Sequence, residues 1–195
     1  WKEFITNSNI EIEKRIKERI LDYLKHLKKA DAGVRWVASE NIHITLKFLG
    51  NIDAIILPAL IKSIDNGMLL FSPFRIQIGN VGAFPTVKKP RILFVGVQDK
   101  ENNLLKIFEQ LEKGIEEYGI KRETKNYVGH ITIGRTKLQK NLRKLIDTLQ
   151  SDSDRFFGQQ KVHHISLIQS ELSPDGPIYT TIKKFQLYEN EYRKS

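Results

Sequence analysis

Cysteine is absent from the 195-residue sequence, which excludes disulfides, thiolate nucleophiles and cysteine-ligated zinc together. No apolar run approaches the roughly 18 residues that read as a membrane span. There is no Walker loop, dinucleotide fingerprint or His-Glu-x-x-His zinc motif, and no low-complexity or linker-like tract. With no cysteine in the sequence, a reducing cytoplasm is the expected address. No cofactor, metal or membrane partner is expected, and a monomer is the expected state.

Positive charge is what the sequence has in excess. Lys and Arg number 32 against 23 Asp and Glu, giving a formal charge of +9 and a pI near 9.6. Such an excess favours polyanion partners, nucleic acid foremost; the alternative is a solvated basic surface with no ligand. Apolar residues make up 40%, enough at this length to bury a sizeable core.

Two tetrapeptides carry the chemistry: His43-Ile44-Thr45-Leu46 and His130-Ile131-Thr132-Ile133. Each lies in an apolar run with strand character, where alternate residues share a face. His43 and Thr45 then point one way and Ile44 and Leu46 into a core, with the same arrangement at His130 and Thr132. A lone histidine on a half-buried strand is more often structural. Two copies of one pattern, 87 residues apart, favour a shared site of two imidazoles and two hydroxyls, which suits phosphodiester chemistry without a metal.

The surrounding elements repeat as well. A short strand at Phe4-Ile5-Thr6 precedes a helix over about 10–29, marked by Ile16, Ile20, Leu24 and Leu27. Strands are predicted at Val34–Val37 and Ile42–Leu49, then a helix capped by Asp53 and running to about Asn66. Strands at Phe74–Ile78 and Ile92–Val97 flank a loop from Gly82 to Pro90. The second half replays the order: a helix through Leu104, Phe108, Leu111 and Ile115, the motif within Tyr127–Arg135, and a helix through Leu142 to Leu149. Strands follow from Phe156, over Val162–Leu172 and over Ile178–Tyr188, with a Pro174-Asp175-Gly176-Pro177 turn matching the Pro85/Pro90 loop. The expected fold is α+β, one bilobal domain over residues 1–195. Two similar lobes of antiparallel sheet plus helices, from roughly 1–98 and 99–195 with room for exchanged terminal strands, would enclose a cleft on a pseudo-twofold axis.

With these motifs the chain resembles the 2H phosphoesterase superfamily, and within it the RNA 2′,3′-cyclic phosphodiesterases, historically called 2′-5′ RNA ligases. The resemblance rests on Arg35-Trp36-Val37, Asn41-Ile42-His43-Ile44-Thr45-Leu46-Lys47-Phe48-Leu49-Gly50, Gly129-His130-Ile131-Thr132-Ile133-Gly134-Arg135, and Ser170-Glu171-Leu172 with Gly176-Pro177-Ile178-Tyr179. Gly129 stands where the family usually has proline, and Thr6-Asn7-Ser8 is polar where apolar residues are common. The resemblance implies His43 as proton donor, His130 as proton acceptor, and an RNA or oligonucleotide 2′,3′-cyclic phosphate end as substrate, with 2′-5′ ligation when a 5′-hydroxyl replaces water.

The Thr45 and Thr132 hydroxyls would hold the non-bridging oxygens, and Arg135 would clamp phosphate. Lys47, on the His43 face by simple alternation, could meet RNA phosphate, although a solvated lysine fits equally. Phe48, Trp36, Phe84 and Tyr179 could stack a base or belong to the core. His163-His164 and His26 have no motif partners. A phosphodiesterase for small cyclic nucleotides or 2′-5′ oligonucleotides, and a non-catalytic RNA-binding module, are the alternative readings.

Overall fold

A computed structural model describes residues 4–138, 140–173 and 176–189; Pro174 and Asp175 of the predicted turn lie outside the described residues. Nine strands and four helices run in the order β1 (Phe4–Glu11), α1 (Lys14–Lys28), β2 (Val34–Trp36), β3 (His43–Asn51), α2 (Leu57–Met68), β4 (Phe74–Thr86), β5 (Lys89–Gln98), α3 (Asn103–Ile115), β6 (His130–Thr136), α4 (Leu142–Ser151), β7 (Phe156–Val162), β8 (His164–Ser173) and β9 (Gly176–Gln186) among the described residues. The strands form two antiparallel sheets, ordered β3-β1-β8-β9 and β2-β6-β5-β4-β7.

Neither sheet is built from one half of the sequence. The first sheet joins β1 and β3 of the first half to β8 and β9 of the second. The second sheet joins β2, β4 and β5 of the first half to β6 and β7 of the second, with the first-half strand β5 beside the second motif strand. The helices cross over in the same sense. α2 and α3 pack on the first sheet, whereas α1 and α4 pack on the second. This exchange brings β3 and β6 into contact although they belong to different sheets.

Amphipathic periodicity explains the helices. Ile16, Ile20, Tyr23, Leu24 and Leu27 recur on one face of α1 and are buried. At Gly158 in β7 an added Cβ would sit 2.8 Å from Ile16 Cγ1, so the missing side chain lets α1 close on the sheet.

Three boundaries differ from the sequence expectation. Asp53 does not cap α2: its Oδ1 accepts a hydrogen bond from the Ile55 N–H, closing a local turn, and the helix begins at Leu57. The expected loop from Gly82 to Pro90 is instead a hairpin, with β4 running to Thr86 and β5 starting at Lys89. The opening strand extends to Glu11, and α1 starts at Lys14 rather than near residue 10. Polar Thr6, Asn7, Ser8 and Asn9 are buried in β1, where backbone pairing on both edges decides the conformation and side-chain polarity gives no alternation to read.

Candidate active site

Both motif strands carry a β-bulge at the same place. In β3, Thr45 pairs with Asn9 and Lys47 with Ser8, leaving Leu46 without a partner. In β6, Thr132 pairs with Phe94 and Gly134 with Leu93, leaving Ile133 without one. An extra residue in one strand resets the alternation beyond it. The exposed positions are therefore not the first, third and fifth of each motif but the first, third and sixth: His43, Thr45 and Phe48, then His130, Thr132 and Arg135.

The bulge corrects the expectation for Lys47. Its side chain is 5% exposed and ion-paired to Glu112 of α3 at 2.6 Å, and its Nζ donates to the Lys121 carbonyl at 2.9 Å. It lies on the core side of β3, away from the cleft. Its equivalent in β6 is Gly134, where an added Cβ would lie 2.8 Å from Val34 Cγ1 and 3.1 Å from Trp36 Cε3.

A cleft of about 620 Å³ lies between the sheets, walled by His43, Thr45 and Phe48 from β3 and Thr132 and Arg135 from β6. Tyr179 of β9 closes one side, its ring edge-on to the His43 imidazole with centroids 6.3 Å apart. Trp36 lines the opposite wall, and Phe48 is 61% exposed at the mouth. His130 shares the Thr132 face of β6 and is held by two rings, Phe84 at 5.2 Å and Phe94 at 6.0 Å. Phe84 thus supports a histidine rather than standing free to stack a base.

The two imidazoles differ in electrostatics. Burial, and secondarily the Lys17 ammonium, pushes the His43 pKa down to about 4. His43 is therefore neutral near pH 7. A phosphate anion beside it would favour the imidazolium and raise that value. His130 Nδ1 lies 2.7 Å from the Val128 carbonyl oxygen. A carbonyl only accepts, so Nδ1 carries the proton, and in the neutral ring Nε2 keeps a lone pair free to accept another.

Residues beyond the sequence expectation also line the cleft. Arg35 of β2 lies directly opposite Arg135 in the β2–β6 ladder, and both are cleft residues. Like charges facing each other across strands are destabilising, and neither arginine has an ion pair among the described residues. An anion between them would relieve the repulsion. Asn7 of β1 is buried on the cleft wall with its side-chain oxygen unpartnered in the protein. The only sequence signal for Asn7 is its polarity in an otherwise strand-like segment; Arg35 gives none apart from Arg35-Trp36-Val37.

The remaining histidines are not brought to the cleft. His164 lies 4.0 Å from Glu11, whose carboxylate is ion-paired to Lys184 at 2.9 Å. His163 is exposed, and His26 stacks on Tyr23 with centroids 6.2 Å apart. Among the described residues no cluster of three or more His, Asp or Glu could hold a metal ion, and no helix is long and apolar enough to cross a membrane. Gly129, in the usual proline position, presents its carbonyl to the Val97 N–H at 3.0 Å, at the entrance to β6.

Each half of the chain matches the model of one family, LigT like Phosphoesterase, over residues 10–94 and again over 95–179. An RNA 2′,3′-cyclic phosphodiesterase of Methanocaldococcus jannaschii is 37% identical over 176 residues, covering 90% of this chain and 96% of the relative. One from Aquifex aeolicus is 35% identical over 192 residues, covering 94% of each. Among solved structures, TT0787 of Thermus thermophilus superposes with a TM-score of 0.77 at 25% identity, covering 95% of this chain and 100% of that one. E. coli LigT complexed with 3′-AMP shares the fold, with a TM-score of 0.76 at 21% identity over 95% of this chain and 99% of that one. With both halves matched in tandem and relatives above 30% identity over nearly the whole length, the chain belongs to the LigT-like phosphoesterase family.

Proposed function

We propose that this protein hydrolyses the 2′,3′-cyclic phosphate at the end of an RNA or oligonucleotide, leaving a 2′-phosphate and a free 3′-hydroxyl. The observation that carries the reading is the meeting of the two motif strands at one cleft, with His43, Thr45, Thr132 and Arg135 in its walls. Relatives named RNA 2′,3′-cyclic phosphodiesterase, at 33–37% identity over most of the chain, support the substrate class.

In this mechanism His130 Nε2 takes a proton from water as the water oxygen attacks phosphorus. The bond from phosphorus to the 3′ oxygen breaks, and His43 gives that oxygen its proton. In-line displacement needs the acid and base on opposite sides of phosphorus, and strands from two facing sheets supply opposite sides. The Thr45 and Thr132 hydroxyls and the Arg35/Arg135 pair bind the non-bridging oxygens as charge concentrates there. The His130 assignment as base draws on its Nδ1 bond to Val128. The His43 assignment as acid requires the bound phosphate to charge a ring that is neutral without it. With a 5′-hydroxyl in place of water, the same displacement gives 2′-5′ ligation.

The test is turnover of a cyclic-phosphate dinucleotide, with the product resolved against authentic 2′- and 3′-phosphate standards. A 2′-phosphate product is expected. A 3′-phosphate product would reverse the regiochemistry, and no turnover beside intact RNA binding would favour a non-catalytic RNA-binding module.

A further inference from the structure

A second concavity, of about 890 Å³, adjoins the cleft, and Arg135 belongs to the walls of both. Lys88, Lys89 and Arg91 enter it from the β4–β5 hairpin and Lys137 from the segment leaving β6; all four are exposed. No carboxylate lines it, and none of these cations has an ion pair among the described residues. Other concavities differ. The one holding Arg75, Lys100 and Lys161 also holds Asp99 and Glu101. In another, Lys106 and Lys113 sit among Glu101 and Glu109. Among these concavities, uncompensated positive charge is thus confined to the one continuous with Arg135.

Register orders these cations along a line. Arg135 pairs with Ile92 in the β5–β6 ladder, and the chain runs back from Ile92 through Arg91 and Lys89 to Lys88 at the turn. At ~3.3 Å per strand residue the row extends ~13 Å from the cleft. Leu138 stands 66% exposed in the same groove, giving an apolar surface for ribose or base between phosphates. A mononucleotide seated at His43 and His130 would not use this row, whereas a polynucleotide strand would.

We propose that the groove of Lys88, Lys89, Arg91 and Lys137 carries the single RNA strand that lies 5′ to the cyclic phosphate end, with Arg135 as the junction between groove and cleft. The identity of the end in the cleft rests on the activity proposed above; the binding of the strand does not. The end must be unpaired to enter between the sheets, and flexible lysines hold phosphates as point charges without needing duplex geometry.

The experiment compares the wild-type chain with Lys88→Ala/Lys89→Ala/Lys137→Ala on two substrates, a mononucleotide 2′,3′-cyclic phosphate and a ten-nucleotide RNA ending in the same group. Mononucleotide kcat/KM should stay within about twofold. KM for the ten-mer should rise about tenfold or more at low salt, and its log–log salt dependence should flatten by about 2, from ~0.7 per lost single-strand phosphate contact. Unchanged ten-mer KM and salt slope would overturn the proposal and leave the chemistry standing. Fluorescence anisotropy with a hydroxyl-ended ten-mer needs no turnover. Weaker binding by the triple variant, beside a wild type that hydrolyses neither substrate, would keep the groove and overturn the cyclic-phosphate reading. Equal binding by wild type and variant would overturn the groove.

Discussion

Lys47 and Glu112 form an ion pair at 2.6 Å with side chains only 5% and 4% exposed. The pair joins the first motif strand to α3. Glu112 also accepts from the Glu123 N–H at 3.3 Å, and Lys47 also donates to the Lys121 carbonyl. Both bonds fasten the segment that leads into the second motif strand. Lys47→Ala should cost about 3 kcal/mol in denaturant unfolding, because it leaves a buried carboxylate with only the exposed Arg122 guanidinium, at 3.8 Å, as its ion-pair partner. Lys47→Met combined with Glu112→Leu should recover much of that loss. A Lys47→Ala variant with full stability and a raised KM for substrate would instead make Lys47 a phosphate contact.

Within each motif the histidine should matter more to turnover than the threonine. His43→Ala and His130→Ala should each lower kcat by about 10²-fold or more, the lower end for general acid–base catalysis. Thr45→Ala and Thr132→Ala should cost less. His163→Ala, exposed and outside the cleft, should leave turnover unchanged; a dead His163 variant would move the acid–base pair away from this cleft.

The bulges make Phe48 and Arg135 equivalent in position and different in chemistry. Phe48→Ala should raise KM with little change in kcat, in line with ~1–3 kcal/mol for stacking one base. Arg135→Ala should lower kcat/KM for long and short substrates alike. Arg35→Ala should resemble it, since the two guanidiniums face each other across β2 and β6. Wild-type kinetics in Arg35→Ala would remove it from the phosphate clamp.

The depressed pKa of His43 has two measurable signs. Its value in the folded chain, about 4, lies below the ordinary value of 6.5. The contribution to stability is therefore fully present above pH 6.5 and is lost as pH falls through about 4, up to about 3 kcal/mol in all. His43→Gln should flatten that part of the stability profile. In the complex the direction reverses: an NMR titration with bound 2′-nucleotide should show the His43 pKa rising. A His43 ring that stays neutral at pH 7 in the complex would exclude it as the proton donor.

Turnover should survive exhaustive chelation, because the proposed acid and base are imidazoles and no three His, Asp or Glu converge among the described residues. Loss of hydrolysis in EDTA, restored by one divalent ion, would overturn the two-histidine mechanism.

The sequence by itself determined the elements of the site and their duplication. His43 and Thr45, and His130 and Thr132, were legible because alternation is a local property of a strand, and α1 because its apolar residues recur at helical spacing. Tertiary structure decided what lies beyond Thr45 and Thr132. A bulge is a mismatch between two strands, set by how β3 meets β1 and β6 meets β5, and no single segment records it. It turned Lys47 inward and put Phe48 and Arg135 on the cleft. The burial that lowers the His43 pKa, the Arg35/Arg135 juxtaposition and the groove beside Arg135 likewise join residues distant in sequence. The mixing of strands from both halves in each sheet brings β3 and β6 into contact: contact between sheets depends on long-range packing, and local periodicity carries none of it.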